Sequence, residues 1–184
     1  MKKIGVRISG DDYVKKGVNI KKLKNLVKFL DNQGISYYTV TAGLYETSKQ
    51  KYINMKNGNY WSYSKELKKI TKNIVITQGG ISSIEQGNKL LEDKKGDLFG
   101  MAQALIADPE IISKTLNNNE KEVFSCLAHV KVGSCHRCRY LKQKSLSFAC
   151  VTPVAWQPSI KKITTRKKDV AFWNKTIEKL KNNI

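Results

Sequence analysis

Asn73-Ile74-Val75-Ile76-Thr77-Gln78-Gly79-Gly80-Ile81-Ser82-Ser83-Ile84-Glu85 opens the stretch that decides the fold, and Gly96-Asp97-Leu98-Phe99-Gly100-Met101-Ala102-Gln103-Ala104-Leu105-Ile106-Ala107-Asp108-Pro109 closes it. Ile74, Val75 and Ile76 form a short β-branched run that ends in two glycines, as a buried parallel strand does. Ser82-Ser83-Ile84-Glu85 then reads as a Ser-x-x-Glu capping box that starts a helix. A strand, two glycines and a helix N-terminus gather backbone N–H groups at one corner, where an anion can sit. The arrangement repeats, with a strand near Leu98-Phe99, then Gly100 and a helix from about Met101. Two successive βα turns of this kind form the phosphate site of many eight-stranded α/β barrels.

Outward from this stretch the same unit recurs. Ile4-Gly5-Val6-Arg7-Ile8-Ser9 alternates like a strand and meets a turn at Gly10-Asp11-Asp12. Asn19 caps a helix whose Ile20, Leu23, Leu26, Val27 and Leu30 fall at helical spacing, with lysines on the other face. Gly34 stops it, and residues 35–41 read as the second strand. Residues 43–60 are polar and irregular, long enough for a functional loop. A short helix is predicted over residues 63–72 and another over 82–94, its inner face marked by Ile84, Leu90 and Leu91. One more helix follows Asp108-Pro109 and runs to about Leu116. The order is β-α-β-loop-α-β-α-β-α, which implies a parallel sheet with right-handed crossovers. Four units are half of a (β/α)8 barrel, which needs about 250 residues. A doubly wound open sheet has the same spacing, and periodicity alone does not separate the two.

Bulk properties narrow the function classes. The chain has 184 residues, of which 40% are hydrophobic, enough for a real core. No apolar run approaches the ~18 residues of a membrane span, and the N-terminus has no signal-peptide core. The expectation is a soluble, cytoplasmic protein. The formal charge of +19 comes mostly from lysines spread through every segment, densest over residues 161–168. A nucleic-acid binder gathers Arg and Lys on one face among aromatics; this dispersal points to a solvated surface and does not indicate specific nucleic-acid recognition. From Glu120 the chain changes character. Its four cysteines follow the spacing Cys126-x8-Cys135-x2-Cys138-x11-Cys150, which in a reducing compartment points to a metal or redox site. A last amphipathic helix over residues 170–180 carries Val170, Trp173, Ile177 and Leu180 on one stripe. The expected domains are residues 1–118, 119–160 and 161–184.

Several of these segments together resemble the Old Yellow Enzyme family of NADH:flavin oxidoreductases, in its dienoyl-CoA-reductase-like branch. Residues 4–9 resemble the fifth barrel strand, Thr77-Gln78-Gly79-Gly80-Ile81 the end of the seventh, and residues 96–109 the eighth strand with its phosphate turn. The resemblance implies half of a TIM barrel, equivalent to strands five to eight, and FMN as the cofactor. It implies that Arg7 lies beside the flavin ring; read alone, Arg7 pairs equally well with an acid inside the barrel. It further implies that Gly79, Gly80, Gly100, Met101 and Ala102 contact the phosphate and ribityl chain. Gln103 stands where the family has Arg, which replaces a charge-assisted phosphate contact by a neutral one. Tyr45 is nearest the family's proton-transfer His, and serves either as an acid or as packing.

The cysteine region resembles the family's [4Fe–4S] segment in its final x11 interval and the following Val-Thr-Pro, but not in its earlier intervals. Cys126, Cys135, Cys138 and Cys150 are the expected ligands of a cluster or of zinc, His129 or His136 being substitutes in the zinc case, and free buried thiols are the remaining reading. The implied reaction takes hydride from NAD(P)H and passes it to a small electron-poor substrate. An open half barrel exposes strand edges, so the expected partner is a complementary N-terminal half barrel or a second copy, and the chain is not expected to act alone. Two alternatives are an inactive or split remnant of the family and a basic zinc-containing nucleic-acid-binding module.

Overall fold

The computed structural model describes residues 3–44 and 59–126. They fall into two compact units, one reaching Gln103 and the other beginning at Ala104. The first contains four strands, β1 (Gly5–Ser9), β2 (Tyr37–Thr41), β3 (Ile74–Gln78) and β4 (Leu98–Gly100), and three helices, α1 (Ile20–Asp31), α2 (Asn59–Lys68) and α3 (Ile84–Glu92). Helix α4 (Ala102–Ala107) follows β4, and α5 (Ile111–Leu116) follows α4.

Hydrogen bonding orders the strands β1-β2-β3-β4, every neighbour pair parallel. Alternation along the strands explains where the helices go. Ile8, Tyr38, Val40 and Val75 are buried together with Leu23 and Val27 of α1 and Leu67 of α2. On β4 it is Phe99 that meets a helix, its ring lying where a Cβ on Gly87 of α3 would be. All three helices therefore cover the same face of the sheet. A doubly wound sheet would carry helices on both faces and would reverse its strand order partway. Sequential order with one-sided cover is the pattern of a (β/α)8 barrel, of which these are four successive units.

Local capping accounts for the helix limits. Asn19 Oδ1 accepts the Lys22 N–H at 3.1 Å and starts α1, as its sequence predicts. Helix α2 begins at Asn59 instead of residue 63, because Tyr60 and Trp61 pack against the distant Gly79. Helix α3 is capped by Ser83, whose Oγ accepts the Gln86 N–H at 3.1 Å. Gln86 Oε1 reaches back to the Ser82 N–H at 2.7 Å and its hydroxyl at 3.0 Å. The capping box is thus Ser83 with Gln86, one residue later than the Ser82–Glu85 reading.

Carboxylates tie the N-terminal ends of the strands to the helices. Asp31, ending α1, accepts hydrogen bonds from the Tyr38 hydroxyl at 2.5 Å, Thr71 Oγ1 at 3.0 Å and Asn73 Nδ2 at 2.9 Å. Burial first, and then this carboxylate, push the Tyr38 phenol above its ordinary pKa. Asp97 takes both oxygens to Lys68 Nζ, at 2.7 and 2.9 Å, and also accepts the Val75 N–H at 2.8 Å. In the second unit Asp108, 2% exposed, binds Lys114 Nζ at 2.7 Å and the backbone N–H groups of Glu110 and Phe124 at 3.0 and 2.9 Å. Lys114 also lies 4.8 Å from the centre of the Phe124 ring. Among the described residues no helix is long and apolar enough to cross a membrane.

Two predictions follow from this packing. Thr77 is wholly buried on the helix-facing side of β3, and its hydroxyl has no hydrogen-bond partner. Thr77→Val keeps the shape and removes the orphaned group, so denaturant unfolding should show a gain of about 1 kcal/mol. Burial alone would raise the Asp108 pKa, but Lys114 and the two backbone donors hold it below the ordinary aspartate value. The clasp therefore contributes in full above that range, and its contribution is lost as the pH falls through the depressed value. Lys114→Met should cost about 3 kcal/mol at neutral pH, and the gap to the unsubstituted protein should close in acid.

Candidate functional site

The C-terminal ends of β3 and β4 carry the two glycine corners, and the sheet register holds them side by side, Gln78 being paired with Gly100. At the first corner Gly79 has φ +93° and Gly80 φ +69°, both in the left-handed region that favours glycine. The turn is fixed from outside by α2. Trp61 Nε1 donates to the Gly79 carbonyl at 2.8 Å, and the Tyr60 ring lies 2.2 Å from the position a Gly79 Cβ would take. Beyond the glycines Ile81 is buried, and Ser83 opens α3.

Gly100 is glycine for a different reason. Among the described residues a Cβ there would meet only Gln78, at 3.7 and 3.8 Å, which is ordinary van der Waals contact. Packing among the described residues does not demand the missing side chain, so the space fits a group bound against the backbone. Met101 beyond it is buried, Ala102 exposed and Gln103 half-buried in the first turn of α4. The structure thus brings Gly79, Gly80 and Gly100 through Gln103 to the ends of two adjacent strands.

Arg7 lies at the middle of β1 and is exposed, on the face turned away from the helices. It forms no ion pair among the described residues, so the alternative reading, a pairing with an acid, is not found among them. Thr39, Ile76 and Leu98 stand level with it across the sheet. Arg7 therefore shares the helix-free face with Gln78 and Gly100, one side-chain row before them along the parallel strands.

The turn after β1 adds groups that sequence reasoning passes over. Asp11 Oδ1 accepts the Tyr13 N–H at 2.6 Å, and Asp11 Oδ2 accepts the Tyr63 hydroxyl at 3.4 Å. Tyr13 has φ +57°, a left-handed conformation uncommon for a side chain of its size. Burial, and after it Tyr13 and Asp11, push the Tyr63 phenol above its ordinary pKa. Ser9 also escaped notice, although strict alternation along β1 puts it on the face of Arg7; that period was the available signal. Cys126, the last of the described residues, is half-buried. Tyr45, His129, Cys135, His136, Cys138, Cys150, the lysine cluster over 161–168 and the helix expected over 170–180 lie outside the described residues. Among the described residues no three His, Cys, Asp or Glu side chains come together as a metal site would require.

Comparison with known proteins bears on these corners. The model of the NADH:flavin oxidoreductase / NADH oxidase family matches residues 1–122. An NADH oxidase of Thermoanaerobacter brockii is 28% identical over 127 residues, which cover 68% of this chain and 20% of that protein. A metal reductase of Desulforamulus reducens is 25% identical over 123 residues, covering 66% and 18%. A bilirubin reductase of Clostridium symbiosum is 26% identical over 132 residues, covering 68% and 35%. The chain thus spans 18–35% of the length of these relatives. A histamine dehydrogenase structure from Rhizobium sp. 4-9 superposes with a TM-score of 0.67 at 16% identity, over 82% of this chain and 21% of that one. A 2-naphthoyl-CoA reductase complexed with 2-naphthoyl-CoA gives 0.64 at 18% identity, over 83% and 23%. These two likenesses concern the fold. The family match, by contrast, runs through all four strands and both glycine corners, and the chain belongs to the NADH:flavin oxidoreductase / NADH oxidase family.

Proposed function

We propose that this chain supplies the phosphate-binding end of an FMN site in an NAD(P)H-dependent oxidoreductase, with Arg7 beside the flavin ring. One observation carries the reading: the adjacent corners at Gly79-Gly80 and Gly100, the second with space that the described residues leave unfilled. The residues present fit the cofactor. Left-handed glycines let the backbone approach an anion closely, and the N-terminus of α3 favours negative charge nearby. Gly100, Met101 and Ala102 bring further backbone to the same end of the sheet. Gln103 gives at most a neutral hydrogen bond to phosphate, where Arg would add charge and a second donor.

Bound flavin supplies hydride transfer between NAD(P)H and a small electron-poor substrate. Arg7 holds fixed positive charge on the inner face, where it stabilises negative charge developing on a neighbouring ring. Tyr45 is the proposed proton donor. The thiolates of Cys126, Cys135, Cys138 and Cys150 are proposed as a metal site, a [4Fe–4S] cluster ahead of zinc, because the last interval and the residues after it resemble the family's cluster segment. The proposed partner is four further βα units, from a complementary half barrel or a second copy. They would cover Ile74 and Leu98, which stand 37% and 51% exposed on the inner face. Loss of the Arg at position 103 also favours a second reading, an inactive or split remnant that retains the fold.

Titrating the purified chain with FMN tests the proposal: saturable quenching of flavin fluorescence is expected, and its absence with excess FMN defeats the reading. Gln103→Arg should tighten binding about tenfold or more, the difference between a neutral and a charge-assisted contact. Gly100→Ala should leave the melting temperature unchanged while weakening FMN binding, whereas Gly79→Ala should lower the melting temperature itself. For the cysteines, anaerobic reconstitution should give about four iron per chain, and a colourless zinc-loaded product would remove the cluster.

A further inference from the structure

Among the described residues two side-chain hydroxyls are shut away from water and paired with nothing, Ser9 Oγ and Thr77 Oγ1. Each is destabilising relative to a satisfied or absent group. Their surroundings separate them. Thr77 faces the helices, and its methyl and Cβ pack 3.1 Å from the position a Gly96 Cβ would take. The branched shape is what that place uses, and the hydroxyl comes with it. Ser9 has no such excuse, since its side chain is too small to fill a core and alanine would lack only the oxygen.

The sheet register says what Ser9 stands beside. It follows Arg7 by two residues and so lies on the same face, at the end of β1 toward which the chain runs. Ser9 pairs with Thr41. Continuing the Thr39–Ile76 pairing by two residues brings Thr41 level with Gln78, which pairs with Gly100. The row is therefore Ser9, Thr41, Gln78, Gly100, and it includes the glycine whose missing side chain the described residues do not require. Within this row Thr41 Oγ1 is already engaged, donating to the Ile8 carbonyl at 3.3 Å. Ser9 keeps its donor unspent.

We infer that Ser9 is a ligand-binding residue whose Oγ–H donates a hydrogen bond to an acceptor atom of the flavin ring, beside the contact made by Arg7. The inference rests on the FMN reading above and adds a residue to it. A hydroxyl held dry and unpaired is stabilising only once an acceptor arrives, so Ser9 trades stability of the empty protein for affinity.

The test compares the full chain with Ser9→Ala, Ser9→Thr and Thr77→Val, each by thermal melting without ligand and by FMN titration. Ser9→Ala should melt at or above the unsubstituted temperature and bind FMN about 3–10-fold more weakly, the worth of one neutral hydrogen bond. Ser9→Thr, which keeps the hydroxyl, should restore most of that affinity. Thr77→Val should melt higher and bind FMN as the unsubstituted chain does. Equal FMN affinity in Ser9→Ala overturns the inference and leaves the flavin site standing. A lower melting temperature in Ser9→Ala without ligand, or equal weakening in Thr77→Val, overturns it as well, by assigning the hydroxyl a structural part. If the unsubstituted chain takes up no FMN, the flavin reading itself fails and Ser9 falls with it.

Discussion

Burial on one side of the sheet is the constraint from which the rest follows. Tyr38, Val40 and Val75 are withdrawn from water against Leu23, Val27 and Leu67, each of these six side chains fully buried. Completely burying an aliphatic side chain contributes about 1.5–3 kcal/mol, so a slip of one residue in any strand would turn this set outward at prohibitive cost. Because the helices take one face, the other is left to side chains of mixed character: Arg7, Ser9, Thr39, Thr41, Ile76 and Gln78. That face is where a chemistry can be installed without competing with the core. The same division separates the ends of the strands. Asp31 and Asp97 knit the N-terminal ends through six of the hydrogen bonds described above, while the C-terminal ends carry glycines and the loop after β1. Stability sits at one end and the candidate site at the other, as barrels of this type arrange them.

Much of this was legible in the sequence, for identifiable reasons. Strand positions follow from β-branched runs with period two, and the β-strands lie within a residue or two of their expected limits. The cap at Asn19 needs only its neighbours, and it is where a local rule puts it. The box at Ser83 is also local, yet two adjacent serines leave the register ambiguous, and Gln86 rather than Glu85 resolves it. The start of α2 could not be read, because what extends it to Asn59 is contact between Tyr60, Trp61 and a glycine about twenty positions later. Barrel and open sheet likewise share a periodicity; what distinguishes them is which side the helices choose, a property of the assembled sheet.

The candidate site was legible unevenly. Gly79, Gly80 and Gly100 look alike as letters, but the first two are required by backbone conformation and the third is not. Only coordinates reveal that difference, and it is the third that speaks for a ligand. Ser9 shows the opposite case: alternation announces its face, while its unpaired state is invisible without the neighbours. Arg7 was singled out through family resemblance, and its exposure on the inner face agrees with a role that looks away from the core.

The clamp that α2 places on Gly79 has an evolutionary corollary. An indole holds the carbonyl and a phenol occupies the volume of the absent side chain, so these three positions form one heritable unit. A larger residue at Gly79 would need Tyr60 to shrink in step, and neither exchange would be neutral by itself. Grafting the glycine pair onto another scaffold would accordingly fail unless the aromatic pair travelled with it.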